Sequence, residues 1–277
     1  MSVCTIKMIK MISLFAAIWF TSISYASVLV DDNNTSAPHT SHSSLLSVTG
    51  LTLQNIAAQV DLRITSMKIL ANTIANDTHI QEWVDQGFAS EAEALLVKKL
   101  GYLVDEYALT SASFADTKTN KYWNHEGFLR VLQPNVDTWY FAYLASGQQD
   151  LISVYHDKNK HRVDLYVNYK QPNGYGLSGI ATSFDGVLEL LKTSSLNQAG
   201  EVFIVDAKGV IQLHTDVANT GQQTLAMRYS DAAAKVLLTK HAFNQFEYKS
   251  QDVQTSQQLM SSFIPSMGWF LVAQINE

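Results

Sequence analysis

Between Leu53 and Ile74 the apolar residues recur in alternating steps of four and three: Leu53, Ala57, Val60, Ile64, Met67, Ala71 and Ile74. That spacing keeps one face of a helix continuously apolar. No proline interrupts Ser47 to Asp77, and Gly50 stands near the start, so the pattern predicts one long helix. Two readings of the seam stay open. It packs on a sheet of its own domain, or it meets a second copy with Leu53, Val60, Ile64, Met67 and Ile74 as the interface. Ile56, Ile69 and Leu70 lie off the seam and supply a second stripe if both hold. Helical patterning continues through 80–109. There Glu91, Glu93, Lys98 and Lys99 mark a solvated face, and Ala94, Leu95, Leu96, Leu100, Leu103 and Val104 a buried one. Residues 48–110 therefore read as a helical stalk.

Beyond residue 110 the period changes to two, the signature of strands. Ser111–Asp116 and Tyr122–Glu126 predict a hairpin through Lys118–Asn120. Thr138–Ser146 predicts a short helix stopped by Gly147, with Tyr140 and Tyr143 on one face and Trp139 beside them. Two strands follow, Leu151–Tyr155 and Arg162–Lys170, turning at Asp157–Lys160. In the second, Val163, Leu165, Val167 and Tyr169 face the long helix, while Asp164, Tyr166 and Asn168 face solvent or a cavity. Pro172-Asn173-Gly174 turns the chain into a third strand, Tyr175–Phe184, and a helix over Asp185–Lys192. These elements make a module over 111–198. A second, smaller one spans 199–277. It has a strand–turn–strand over Gly200–His214 with its turn at Asp206–Gly209, a helix over Thr224–Thr239, and strands at Ala242–Ser250, Gln257–Ile264 and Trp269–Ile275.

The N-terminus changes the picture of where the protein works. Lys7 and Lys10 precede an apolar run from Met11 to Ile23, and Ser24-Tyr25-Ala26 places small residues before a cut site. This is the layout of a secretory signal peptide over 1–26. The run is about 13 residues, short of the roughly 20 that span a bilayer; counting Ser24 to Val30 lengthens it enough that an uncleaved inner-membrane anchor is the alternative. Residues 31–47 are polar and low in complexity, so 27–47 reads as a flexible linker in which His39 and His42 are solvated. Among 277 residues, 47% are apolar and 16% charged, so a sizeable core can form. The net charge is −6. Loss of Lys7 and Lys10 leaves 17 basic against 25 acidic residues, a net −8, which offers no basic stripe for nucleic acid. The single cysteine, Cys4, lies in the leader, so the remainder has no thiol chemistry.

No nucleophile elbow, zinc-protease helix, phosphate loop or dinucleotide fingerprint occurs, and no enzyme activity or cofactor is expected. His125-Glu126 and His156-Asp157 would bind a metal only if adjacent strands brought them together; solvated surface is the plainer reading. The remaining candidate chemistry is a small-molecule pocket with aromatic walls and convergent polar groups. Its candidate residues are Trp123, Arg130, Trp139, Tyr140, Tyr155, Asp164, Tyr166 and Asn168.

Three stretches together resemble the double-Cache extracytoplasmic sensor domains of bacterial chemoreceptors, sensor kinases and diguanylate cyclases. They are Asp137-Thr-Trp139-Tyr140 through Asp185, Val202-Phe-Ile-Val-Asp206 with Gly209 and His214-Thr-Asp216, and Pro265 through Trp269 to Ala273. The resemblance covers roughly 48–277. It implies an α+β fold: a long N-terminal helix followed by two PAS-like Cache modules, each an antiparallel sheet with flanking helices. It further implies a periplasmic sensor of a small molecule, acting in chemotaxis or in cyclic-di-GMP and biofilm control. The partner would be an inner-membrane receptor or diguanylate cyclase, because no second membrane span or output domain follows in this sequence; a homodimer through the N-terminal helix is compatible. A ligand-free interaction module that regulates a receptor, or an anchored receptor remnant, are the alternatives. Amino-acid-binding members of the family carry an arginine where this chain has Asp137 and an aspartate where it has Ala181. The resemblance therefore points away from a free amino acid as ligand.

Overall fold

The computed structural model describes residues 39–157, 162–221, 223–249 and 256–276. The leader and most of the linker lie outside the described residues. The first helix, α1 (His39–Ala75), starts inside the stretch expected to be linker. The helical stalk is three helices, and the stretch 80–109, expected to be helical throughout, is divided between two of them. Helix α2 (Thr78–Asp85) begins afresh where Asp77 accepts hydrogen bonds from the backbone N–H groups of His79 and Ile80, and α3 (Ser90–Glu106) follows a turn. An aspartate that satisfies the free N–H groups of a new first turn favours a helix start over continuation. Lys99 of α3 is ion-paired to the same carboxylate, fastening the two short helices together.

The first sheet contains β1 (Ser111–Asp116), β2 (Lys121–Asn124), β3 (Gly127–Val131), β4 (Asp150–Asp157), β5 (Arg162–Lys170) and β6 (Gly176–Ser183) in the order β3-β2-β1-β6-β5-β4, all antiparallel. Helix α4 (Thr138–Ala145) lies between β3 and β4 in the chain. The edge strand β3 went unpredicted. Its Phe-Leu-Arg-Val is exposed along most of its length, so it lacks the alternation that marks a half-buried strand. Helices α5 (Asp185–Thr193) and α6 (Ser195–Ala199) lead to the second sheet. It contains β7 (Gly200–Val205), β8 (Ile211–His214), β9 (Asn244–Lys249), β10 (Ser256–Ile264) and β11 (Trp269–Asn276) in the order β8-β7-β11-β10-β9. The single helix expected over 224–239 is two, α7 (Leu225–Arg228) and α8 (Asp231–Leu237). Ser230 caps the second by accepting from the Ala233 N–H.

Helix α1 serves both sheets. Every seam residue from Leu53 to Ile74 is at most 4% exposed and shares one core with Val163, Leu165 and Val167 of the first sheet and with Val202, Ile204, Leu271 and Ala273 of the second. The seam is thus used within the chain, and Leu53, Val60, Ile64, Met67 and Ile74 are no interface between copies. A face that can be buried on the molecule's own sheets leaves nothing apolar there for a partner. Toward its C-terminus α1 lies against β6. The Ser178 hydroxyl donates to the Ala71 carbonyl (2.5 Å), and a Cβ at Gly176 would stand 2.5 Å from the Ala75 carbonyl oxygen. Only small residues on β6 permit so close an approach. Toward its N-terminus α1 meets the second sheet's side of the molecule. Gly50 packs against the Phe243 ring, and Asp61 accepts from the Ser266 N–H (2.7 Å).

Removing a side chain from this seam leaves a cavity that neither sheet can close. Ile64→Ala is expected to cost about 2–5 kcal/mol. Gln59→Ala, five residues away and exposed, is expected to stay within about 0.5 kcal/mol of wild type. Urea denaturation of the two variants measures the contrast; equal losses would contradict the assignment of the seam to the core.

Candidate functional site

The face of the first sheet turned away from α1 carries a cavity of about 440 Å³. Its shape follows from strand register. Directly opposed residues of neighbouring strands share a face. Ser113 pairs with Gly179 and Ser111 with Ala181, which gives a floor of small residues on the two central strands β1 and β6. Tyr122 on β2 and Trp139 on α4 form one side of the cavity, and Tyr166 on β5 and Tyr155 on β4 the other. With strands about 4.8 Å apart, β2 and β5 stand roughly 14 Å from each other. The result is a trough with aromatic walls and a flat polar floor. Gly179 is required at the bottom: a Cβ there would lie 2.7 Å from Ser113 Oγ and 2.9 Å from Asn168 Oδ1. Ser113 in turn donates to the Gly179 carbonyl (3.0 Å).

Of the residues expected to form a pocket, Arg130, Trp139, Tyr155, Tyr166 and Asn168 line this trough. Trp123 does not. It pairs with Phe114, and both point to the α1 side, where Trp123 packs edge-on against Trp83 (4.8 Å between ring centroids) and stacks with Phe88 (5.3 Å). Its neighbour Tyr122 takes the trough position, because successive strand residues point to opposite faces. Tyr140 also lies outside the lining. It is fully buried, and its hydroxyl donates to Asn120 Oδ1 (3.1 Å), while Tyr143 donates to the Gln149 carbonyl (2.6 Å). These two tyrosines anchor α4, and Trp139, turned about 100° from Tyr140 around the helix, is left to face the trough. Asp164 shares the face of Tyr166 and Asn168 but sits one pair further along β5, buried and outside the lining. Tyr122, Ser111, Ser113, Ser153 and Gly179 were not anticipated. The alternation Ser111-Ala112-Ser113-Phe114 is the signal that marks the polar face of β1. His125-Glu126 follow β2, whereas His156-Asp157 end β4 at the opposite edge of the sheet, so the strands do not bring the two pairs together.

One ion pair dominates the electrostatics. Arg130 Nη2 donates to Asp137 Oδ1 (2.5 Å), and Asp137 Oδ2 accepts from the Gln133 N–H (2.9 Å). The Asp137 side chain is buried while Arg130 is half exposed toward the trough. The hydrogen bond from Arg130, reinforced by that from Gln133, holds the Asp137 carboxyl below its ordinary value of 3.8 against the opposing effect of burial, and the same pairing raises Arg130. Burial pushes the Tyr122 hydroxyl up, partly offset by its hydrogen bond with Ser113. A larger groove of about 610 Å³ runs between α1, α5 and Tyr107. Its lining is mostly apolar, and Arg63, which donates to Thr182 Oγ1 (3.4 Å), is the one charged residue in it among those described. The trough, with aromatic and polar groups converging from five strands and a helix, is the better-built site.

The lowered carboxyl value sets a pH dependence. A group depressed in the folded state contributes stability that is complete above its unfolded value and is lost as pH falls through its folded one. Wild type is therefore expected to exceed Asp137→Asn in stability at neutral pH, with the gap closing only on acidification below 3.8. Denaturation of both proteins at stepped pH measures it; a gap that does not change with pH would mean that the charge of Asp137 is immaterial.

No protein-family model matches the chain. Solved structures do. The ligand-binding domain of the Pseudomonas aeruginosa amino acid chemoreceptor PctC, in complex with GABA, is 15% identical, with 83% of this chain and 98% of that one covered at a TM-score of 0.63. The ligand-binding domain of the Pseudomonas fluorescens chemoreceptor CtaA, in complex with L-serine, is 15% identical over 85% and 98%, at 0.60. The sensory domain of the Campylobacter jejuni chemoreceptor Tlp3 is 12% identical over 86% and 98%, at 0.57. At such identities the likeness is one of fold: a long helix backing two antiparallel sheets, with this chain spanning nearly the whole of each domain. The chain has the double-Cache fold of extracytoplasmic sensor domains.

Proposed function

We propose that this protein is an extracytoplasmic sensor whose small-molecule ligand occupies the trough over the first sheet. The observation that carries this reading is the trough itself, a preformed concave site with four aromatic side chains and a few converging polar groups on a rigid sheet. The leader-like N-terminus supports a periplasmic location. Ligand binding would shift populations of the first module. The change would pass along α1, which touches both sheets, to an inner-membrane receptor or diguanylate cyclase controlling chemotaxis or cyclic-di-GMP output. No helix among the described residues is long and apolar enough to cross a membrane.

A metabolite screen by melting temperature tests the reading. A ligand that binds only the folded protein adds about 2.7 kcal/mol at a hundred times its Kd, so a hit raises the melting temperature with concentration. Trp139→Ala combined with Tyr166→Ala should abolish that shift while the unliganded protein still melts cooperatively. A hit fully retained by the double variant would place binding elsewhere.

A second role, association, is favoured by the outward face of α1. Val48, Leu51, Leu62 and Ile69 are each at least 60% exposed and recur at heptad-compatible spacing, opposite the buried seam. A second copy of the chain suits such a stripe. Light scattering over a concentration series should show a dimer that Leu62→Asp with Ile69→Asp converts to monomer; a wild type monomeric at every concentration would remove this role.

A further inference from the structure

We infer that the trough selects an uncharged, flat ring bearing carbonyl acceptors, the chemistry of a nucleobase or a similar neutral heterocycle, and that the Arg130–Asp137 pair sets this charge preference. The inference rests on the reading of the trough as the ligand site and adds the class of ligand.

Three features lead there. The first is shape. Aromatic side chains stand on both sides of a floor whose central contributors are serine, glycine and alanine. Aromatic walls offer stacking surfaces to a planar ring, and the flat floor leaves room for one.

The second is charge. Among the described residues Arg130 is the only ionised side chain in the lining, and Asp137 already neutralises it. An anionic ligand must compete with a buried carboxylate for the guanidinium. A cationic ligand meets a guanidinium among the described lining residues, while the carboxylates of Asp137 and Asp164 are buried outside that lining. Either would be desolvated without a counter-charge of its own.

The third is hydrogen-bonding polarity. A guanidinium has five donors, of which Asp137 engages only part, and no acceptor. The Asn168 amide supplies both a donor and an acceptor at the floor, the complement of a ring edge that alternates carbonyl and N–H. Sugars, the other uncharged rings, expose many hydroxyl donors and are suited by carboxylate acceptors. The lining has none among the described residues; both oxygens of nearby Asp137 are taken by Arg130 and Gln133, and Asp164 is buried outside the lining.

The test is calorimetric titration of the full chain with small probes differing in charge: uracil and hypoxanthine (neutral rings), orotate (uracil with a carboxylate), tyramine (a neutral ring carrying an ammonium) and D-glucose. A neutral heterocycle is expected to bind at least about tenfold more tightly than orotate, tyramine or glucose. Breaking the pair from either side should then move the preference in opposite directions. Asp137→Asn frees the guanidinium and favours orotate over uracil. Arg130→Gln leaves the carboxylate uncompensated and favours tyramine. Because the two variants disturb the same contact but predict opposite changes, a general loss of folding cannot imitate the result; circular dichroism checks each fold. Tightest binding of orotate, tyramine or glucose by wild type, displaced by Tyr166→Ala, would overturn the inference and leave the sensor reading standing. The same would follow if both variants kept the wild-type preference. Silence from every probe at millimolar concentration would overturn the inference as well, and the metabolite screen then decides the sensor reading by itself.

Discussion

Everything in this molecule hangs on the burial of one face of α1. A two-sheet protein needs something to cover the inner face of each sheet, and here one helix covers both. The stripe from Leu53 to Ile74 meets the valines and leucines of β5 at one level and the strands of the second sheet at another, so the two modules share one core. The close approach at Ser178 and Gly176 fixes the depth at which α1 sits on β6, and the Asp61–Ser266 hydrogen bond ties it to the loop before β11. A change in the first module that moves β6 therefore meets a packed helix, which reaches the second module without an intervening flexible joint.

The same arrangement explains why the trough lies where it does. With α1 occupying one face of the first sheet, the opposite face is the one left free. Its central strands carry small residues there, so the sheet surface is open rather than filled. Tyr140 and Tyr143 close one end by locking α4 against β6 in a small separate core with Leu132 and Leu177. The trough is thus bounded by elements held in place by their own burial, and Trp139 is carried on α4 as a consequence of that anchoring.

The local charge balance depends on a short stretch of chain. Arg130 on β3 and Asp137 at the start of α4 are seven residues apart, with Gln133 between them supplying the second hydrogen bond to the carboxylate. The pairing draws β3, an exposed edge strand, toward the helix that holds Trp139. One contact therefore serves both the architecture of the trough wall and its electrostatics.

The linear pattern alone determined the elements governed by periodicity: the long helix from its three-and-four spacing, the strands from alternation, and the apolar face of β5 as the one that packs on α1. Each is a property of a residue and its near neighbours. Arg130, Trp139, Tyr155, Tyr166 and Asn168 could be proposed for a pocket because they are polar or aromatic on elements of known period. Tertiary structure decided the rest, because it depends on pairing between distant segments. Whether Tyr122 or Trp123 faces the trough is settled by the register of β2 against β1, which a one-residue slip would reverse. Whether the seam on α1 meets a partner or the chain's own sheets depends on strands that begin dozens of residues later and continue to the end of the second sheet. The break between α2 and α3 and the exposed edge strand β3 escaped a reading by hydrophobic period, since a short turn inside a helical pattern and an unalternating strand leave no periodic trace. That Asp137 would neutralise Arg130 was not visible in the order of residues, because the contact exists only where the end of a strand and the first turn of a helix fold back on each other.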